Sequence, residues 1–188
     1  MWDTMSASRE KREELHEAYI RELKPAQAHL RNRLSGLGDP QVDGSVESLD
    51  AVNEWFLTHI KEPKETETAD LPSWWDPGRP TAESGVPGSG PFTSSQLELI
   101  DEVQAYLGEV LTTALPDAHW VLYKGHKRDF RNGLTMLDVG KGRPLPVRDV
   151  VYKEALGIVL SGRDVAVDTL SRWVREESAP RASPCGTQ

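Results

Sequence analysis

Residues 93–114 read TSSQLELIDEVQAYLGEVLTTA, and this stretch decides the fold of the chain. Its apolar residues recur at three- and four-residue steps from Leu99 to Ala114, as they do on one face of an amphipathic helix. A Thr or Ser at 93–95 can cap the start of this helix, and Pro116 stops it. The opposite arc, which we expect to face water, carries four acidic residues: Glu98, Asp101, Glu102 and Glu109.

The residues after this helix predict two strands and two further helices. Residues 119–123 and 134–139 are rich in β-formers and are flanked by glycines, which favours strands joined by a loose hairpin loop. Residues 147–160 then predict a largely buried helix, and 166–177 predict a final amphipathic one. Residues 93–177 are therefore expected to form an α+β module in the order helix, two strands, helix, helix.

The N-terminal third of the chain predicts a helical arm. Residues 6–34 carry apolar residues at helical spacing, although Pro25 predicts a kink or break near Lys24 because it cannot donate its amide. Residues 45–61 predict a second helix. We expect this arm, 1–61, to dock on the module, which makes the protein α+β and mostly helical.

The segment between the arm and the module has a different composition. Six of the 13 prolines in the chain fall in residues 62–92, which predicts a linker or a long surface loop. Trp74 and Trp75 form its apolar island; they either anchor a partner or hold the loop on this protein's own core. The polar tail, 178–188, is expected to be disordered.

Composition excludes several classes of protein. The net charge of −8 disfavours nucleic-acid binding, since the phosphate backbone recruits basic surfaces. There is no run of about 18 apolar residues to span a membrane, and the N-terminus lacks the apolar core of a signal peptide. The single cysteine, Cys185, forms no internal disulfide and no cysteine-based zinc site. We therefore expect a cytoplasmic protein.

Charge is strongly polarised within the module. Residues 94–117 carry five acids and no bases, whereas residues 118–153 carry eight bases against three acids. These two regions either form complementary parts of one binding face or neutralise each other internally. Glycine-flanked bases at 125–128 and 140–143 suggest an anion pocket, or else turn glycines with solubilising charges. The candidate partner- or anion-binding residues are Lys127, Arg128, Arg131, Lys141, Arg143, Trp74 and Trp75.

Glu109 is a candidate for a structural ion pair. Gly108 beside it permits the close approach of another backbone segment, such as the basic hairpin, and Arg128, Arg131 and Arg143 are the expected partners. A structural role is favoured over a catalytic acid.

Motifs that carry chemistry are missing from the sequence. No two histidines stand four residues apart, and there is no His-Glu-x-x-His, no Gly-x-Ser-x-Gly and no phosphate-binding loop. We therefore predict no catalytic residue, no metal and no cofactor. The leading hypothesis is a domain that binds another protein; the alternative is a small enzyme or a binder of an anionic small molecule that uses the 125–143 loops.

A resemblance adds to this reading. Residues 105–111, AYLGEVL, followed by the strand that begins His119-Trp120-Val121, resemble small bacterial domains, mainly actinobacterial, in which an aromatic-x-Gly-Glu helix leads into a Trp-Val strand. The resemblance covers residues 93–177. Because some such domains occur in immunity proteins that neutralise a paired toxin, it implies an immunity or accessory role, and it implies no catalytic residue.

Overall fold

The computed structural model describes residues 7–35, 42–61, 92–126, 128–129 and 131–179. It confirms a mostly helical α+β fold. The elements are α1 (Arg9–Ser35), α2 (Ser48–His59), α3 (Ser94–Ala114), β1 (His119–Leu122), β2 (Thr135–Asp138), α4 (Val147–Ser161) and α5 (Thr169–Ser178). Nearly all of the expected linker and tail lie outside the described residues, as do Lys127, Trp74 and Trp75. No helix in the described segments has the length and apolarity needed to cross a membrane.

The two strands form an antiparallel hairpin whose register fixes where its loops lie. Leu122 pairs with Thr135 at the end that carries loop 123–134, and His119 pairs with Asp138 at the other end. After β2 the chain turns back on itself, and the amide of Leu145 donates to the carbonyl of Leu137 at 2.7 Å. Loop 123–134 and turn 139–144 therefore lie at opposite ends of the hairpin.

Helix α1 is continuous from Arg9 to Ser35 and contains Pro25, so of the kink or break predicted near Lys24 the break does not occur. Both halves of α1 are held by tertiary packing. The first half lies on the hairpin, where His16 Nδ1 is 3.0 Å from the hydroxyl of Thr135. The second half packs along α3. Packing on both halves offsets the local cost of about 3 kcal/mol that a proline imposes on a helix interior.

Helix α3 lies at the centre of the fold and is buried on nearly all sides. Thr93 and Gln96 form a capping box at its start. Asp101 is only 6% exposed and Glu102 only 1% exposed, so the expectation that the acidic arc faces water is wrong for these two residues. The reason is that α1 covers this arc. The arm and the module consequently share one hydrophobic core, which includes Leu30 of α1.

A glycine in α3 makes room for the hairpin. A Cβ atom at Gly108 would lie 2.4 Å from Cζ2 of Trp120, which no packed structure tolerates without a shift. The indole of Trp120 also meets the ring of Tyr19 edge to face, with centroids 5.5 Å apart. The atoms closest to Gly108 thus belong to the side chain of Trp120 in β1, whereas the sequence predicted an approach by backbone.

Candidate functional site

The interface between α1 and α3 is a row of charged and polar contacts. Arg33 bridges two acids of α3, with its Nη2 2.6 Å from Glu98 Oε2 and its Nε 2.9 Å from Glu102 Oε1. Farther along, Arg31 Nη2 lies 2.5 Å from Glu109 Oε1. The arginines paired with Glu98, Glu102 and Glu109 thus come from the arm. Glu109 is in an ion pair with Arg31, and not with an arginine of residues 128–143 as we expected.

A cleft of about 110 Å³ opens at the Arg33 end of this interface. Its lining is supplied by α1 and α3 and consists of Tyr19, Glu22, Leu23, Pro25, Ala26, His29, Glu98, Asp101, Glu102, Gln104 and Ala105. A ring nitrogen of His29 and carboxylate oxygens of Glu98 and Glu102 all lie within 4.8 Å of one another. His29 is exposed, Glu98 is half-buried and Glu102 is buried, so the cluster runs from the surface into the interior.

Two oxygens in this lining are buried without hydrogen-bond donors among the described residues: Glu102 Oε2 and Gln104 Oε1. The amide nitrogen of Gln104 donates to Asp101, which leaves its oxygen without a partner. Burial raises the pKa of Glu102 to about 7, and the attraction of Arg33 offsets this only in part. Buried oxygens normally accept a hydrogen bond. Because these two oxygens accept none from the described residues, the cleft suits a ligand that carries positive charge.

Loop 123–134 is held together by Asp129. The guanidinium of Arg131 donates to both carboxylate oxygens of Asp129, from Nε at 2.8 Å and from Nη2 at 2.7 Å. The hydroxyl of Tyr123 donates to the same carboxylate at 3.2 Å. These hydrogen bonds lower the pKa of Asp129 to about 2. Arg131 is thus used inside the loop, whereas Lys124 and Arg128 are exposed on it.

Turn 139–144 carries two basic residues, of which one is hydrogen-bonded and the other is exposed. The ammonium of Lys141 donates to the backbone carbonyls of Glu177 and Ala179, the latter at 2.7 Å, and so satisfies groups at the C-terminus of α5. Arg143 is exposed. Because this turn and loop 123–134 lie at opposite ends of the hairpin, their glycines and bases do not combine into one anion pocket.

Sequence reasoning missed the cluster at the α1–α3 cleft. Four-residue spacings place His29 with Arg33 on one face of α1, and Glu98 with Glu102 on one face of α3. The four-residue spacing within each helix can be recognised in the sequence. What the sequence did not reveal is that these two faces meet, since the helices are separated by more than 50 residues of chain.

No family model, no curated protein and no solved structure matches this chain.

Proposed function

We propose that this protein is a cytoplasmic protein that acts by binding another protein, without catalysis, through the hairpin end that carries loop 123–134. One observation carries this proposal. Asp129 ties Arg131 and Tyr123 together, and the loop that they shape presents Lys124 and Arg128 to solvent. Residues that are already hydrogen-bonded to one another before binding lose less conformational entropy when they bind.

The charge of this loop indicates the chemistry of the partner. The protein as a whole carries a net charge of −8, so the exposed bases Lys124 and Arg128 are not needed for solubility. They suit a carboxylate-rich surface of another protein, and the overall negative charge disfavours nucleic acid. The immunity or accessory role rests on the resemblance of residues 93–177, and a toxin gene next to this one would support it.

Site-specific photo-crosslinking in cells tests this proposal. A crosslinking amino acid replaces Arg128 in one variant and Arg143 in the control variant, which places the probe at the opposite end of the same hairpin. We expect the same partner protein to be captured reproducibly from position 128 and not from position 143. Equal capture from both positions, or no reproducible partner at 128, would contradict a binding face at loop 123–134.

The alternative is a small enzyme or a binder of an anionic small molecule. Its site would be loop 123–134 alone, because turn 139–144 lies at the opposite end of the hairpin. A thermal-shift screen with nucleotides and phosphorylated metabolites distinguishes it, since a ligand that binds the folded state raises the melting temperature. A rise that Arg128→Glu abolishes would favour the small molecule over the protein partner.

A further inference from the structure

The α1–α3 cleft holds an arrangement that the proposed protein interaction does not use. His29 and Arg33 lie one helical turn apart on α1, and they face Glu98 and Glu102, one turn apart on α3. One imidazole and two carboxylates thereby meet at the mouth of a cleft. Histidine and glutamate side chains that project from facing helices form the metal sites of several helical bundles.

A second observation points to a ligand. Glu102 is 1% exposed and Gln104 is 2% exposed, and both line the cleft. Each keeps one buried oxygen that has no hydrogen-bond donor within the described segments. Arg33 supplies one guanidinium to two carboxylates, which leaves Glu102 Oε2 unsatisfied. A cation that approaches through the cleft would supply what this oxygen lacks.

We propose that the cleft binds one divalent first-row transition-metal ion, such as Zn²⁺, through His29, Glu98 and Glu102. Imidazole and carboxylate together are typical ligands of these ions, whereas Mg²⁺ and Ca²⁺ prefer oxygen alone. At metal–ligand bonds of about 2.1 Å, tetrahedral ligand atoms lie about 3.4 Å apart. In the structure the three ligand atoms lie within 4.8 Å of one another. Rotation of the exposed His29 and the half-buried Glu98 side chains would bring them to the metal-bound spacing.

Arg33 is the competitor for this site. Its guanidinium lies between the two carboxylates, so the metal displaces it from at least one of them. The side chain of Arg33 is 40% exposed and can turn into water when it is displaced. In the absence of metal, Arg33 keeps the acidic pair neutralised, and this explains how an acceptor-rich cleft is stable without its ion.

Titration of Zn²⁺ into the chelator-treated full chain by isothermal calorimetry tests the proposal. We expect one strong site per chain. His29→Gln and Glu102→Gln should each weaken it at least about tenfold, since even residues that only orient a metal ligand cost about 10–100-fold when they are removed. Glu109→Gln is the matched control, because Glu109 lies on the same helix in a similar arginine pair but outside the metal cluster. It should bind as the wild type does.

Two further measurements make the test independent of whether a variant folds well. Arg33→Gln removes the competing cation, so it should bind Zn²⁺ about fivefold to tenfold more tightly than the wild type. In the wild-type protein, NMR of the imidazole nitrogens should show His29 shifted at one equivalent of Zn²⁺. The proposal is overturned if Zn²⁺ does not bind, if another histidine shifts instead, or if the affinity survives His29→Gln unchanged.

Discussion

Gly108→Ala should destabilise the protein, although alanine normally stabilises a helix interior relative to glycine. Helix propensity alone favours alanine by about 1 kcal/mol. Against this, the new Cβ would lie 2.4 Å from Cζ2 of Trp120, whose indole is held against Tyr19. Overpacking costs about 1–3 kcal/mol, and so short a contact belongs to the upper part of that range, about 2–3 kcal/mol. We therefore expect the free energy of unfolding in urea to fall by about 1–2 kcal/mol.

Two comparisons isolate the cause of this loss. Gly157 lies inside α4, and a Cβ there meets the end of the exposed Arg163 side chain, with Nε at 2.9 Å, which can move away. Gly157→Ala should therefore gain up to about 1 kcal/mol. In a Trp120→Ala background, Gly108→Ala should likewise become stabilising, because the clash is gone. If Gly108→Ala is as stable as the wild type, Trp120 does not pack on α3 as described.

Three more predictions concern buried groups, each measured by urea unfolding. Trp120→Ala should cost about 3 kcal/mol, the lower end for a large aromatic residue because the indole is only partly buried; an unchanged midpoint would contradict its packing. Tyr106→Phe should cost about 1–3 kcal/mol, since the hydroxyl accepts from the amide of Gly44 at 2.9 Å and lies 2.5 Å from Ser48 Oγ; no loss would mean that these contacts do not form. Glu154 is 4% exposed, and burial raises its pKa from 4.5 to about 7. The unfolded chain releases this proton first, so stability should fall by up to about 3 kcal/mol between pH 4.5 and 7 and then level off. Glu154→Gln should remove that part of the pH dependence; an identical slope in wild type and variant would refute it.

The parts of the fold that local pattern determines could be predicted from the sequence. The apolar spacing in 93–114 gave α3, and the β-rich runs gave a hairpin whose strands, His119–Leu122 and Thr135–Asp138, fall inside the predicted ranges. The break predicted as one outcome at Pro25 does not occur, because packing on both halves of α1 outweighs the local cost of the proline. Local rules describe a helix by itself, whereas this one is held by neighbours on each side.

The candidate site was harder to predict for a physical reason. An acidic arc on an amphipathic helix normally faces water, and only the arrival of α1 turns Glu102 into a buried group. The polarised charge suggested that the bases of the module itself were the counter-ions of α3. In the structure Arg31 and Arg33 of the arm pair with Glu98, Glu102 and Glu109, and Lys141 is used at the end of α5.

The association rate between this protein and the crosslinked partner tests the binding face most directly. Charges at the edge of an interface govern encounter and its salt dependence more than they govern dissociation. We predict that Lys124→Glu combined with Arg128→Glu lowers the association rate constant about tenfold at low salt and leaves dissociation within about twofold, while Arg143→Glu changes neither. An unchanged association rate in the double variant, or an equal loss in Arg143→Glu, would contradict a partner that binds at loop 123–134.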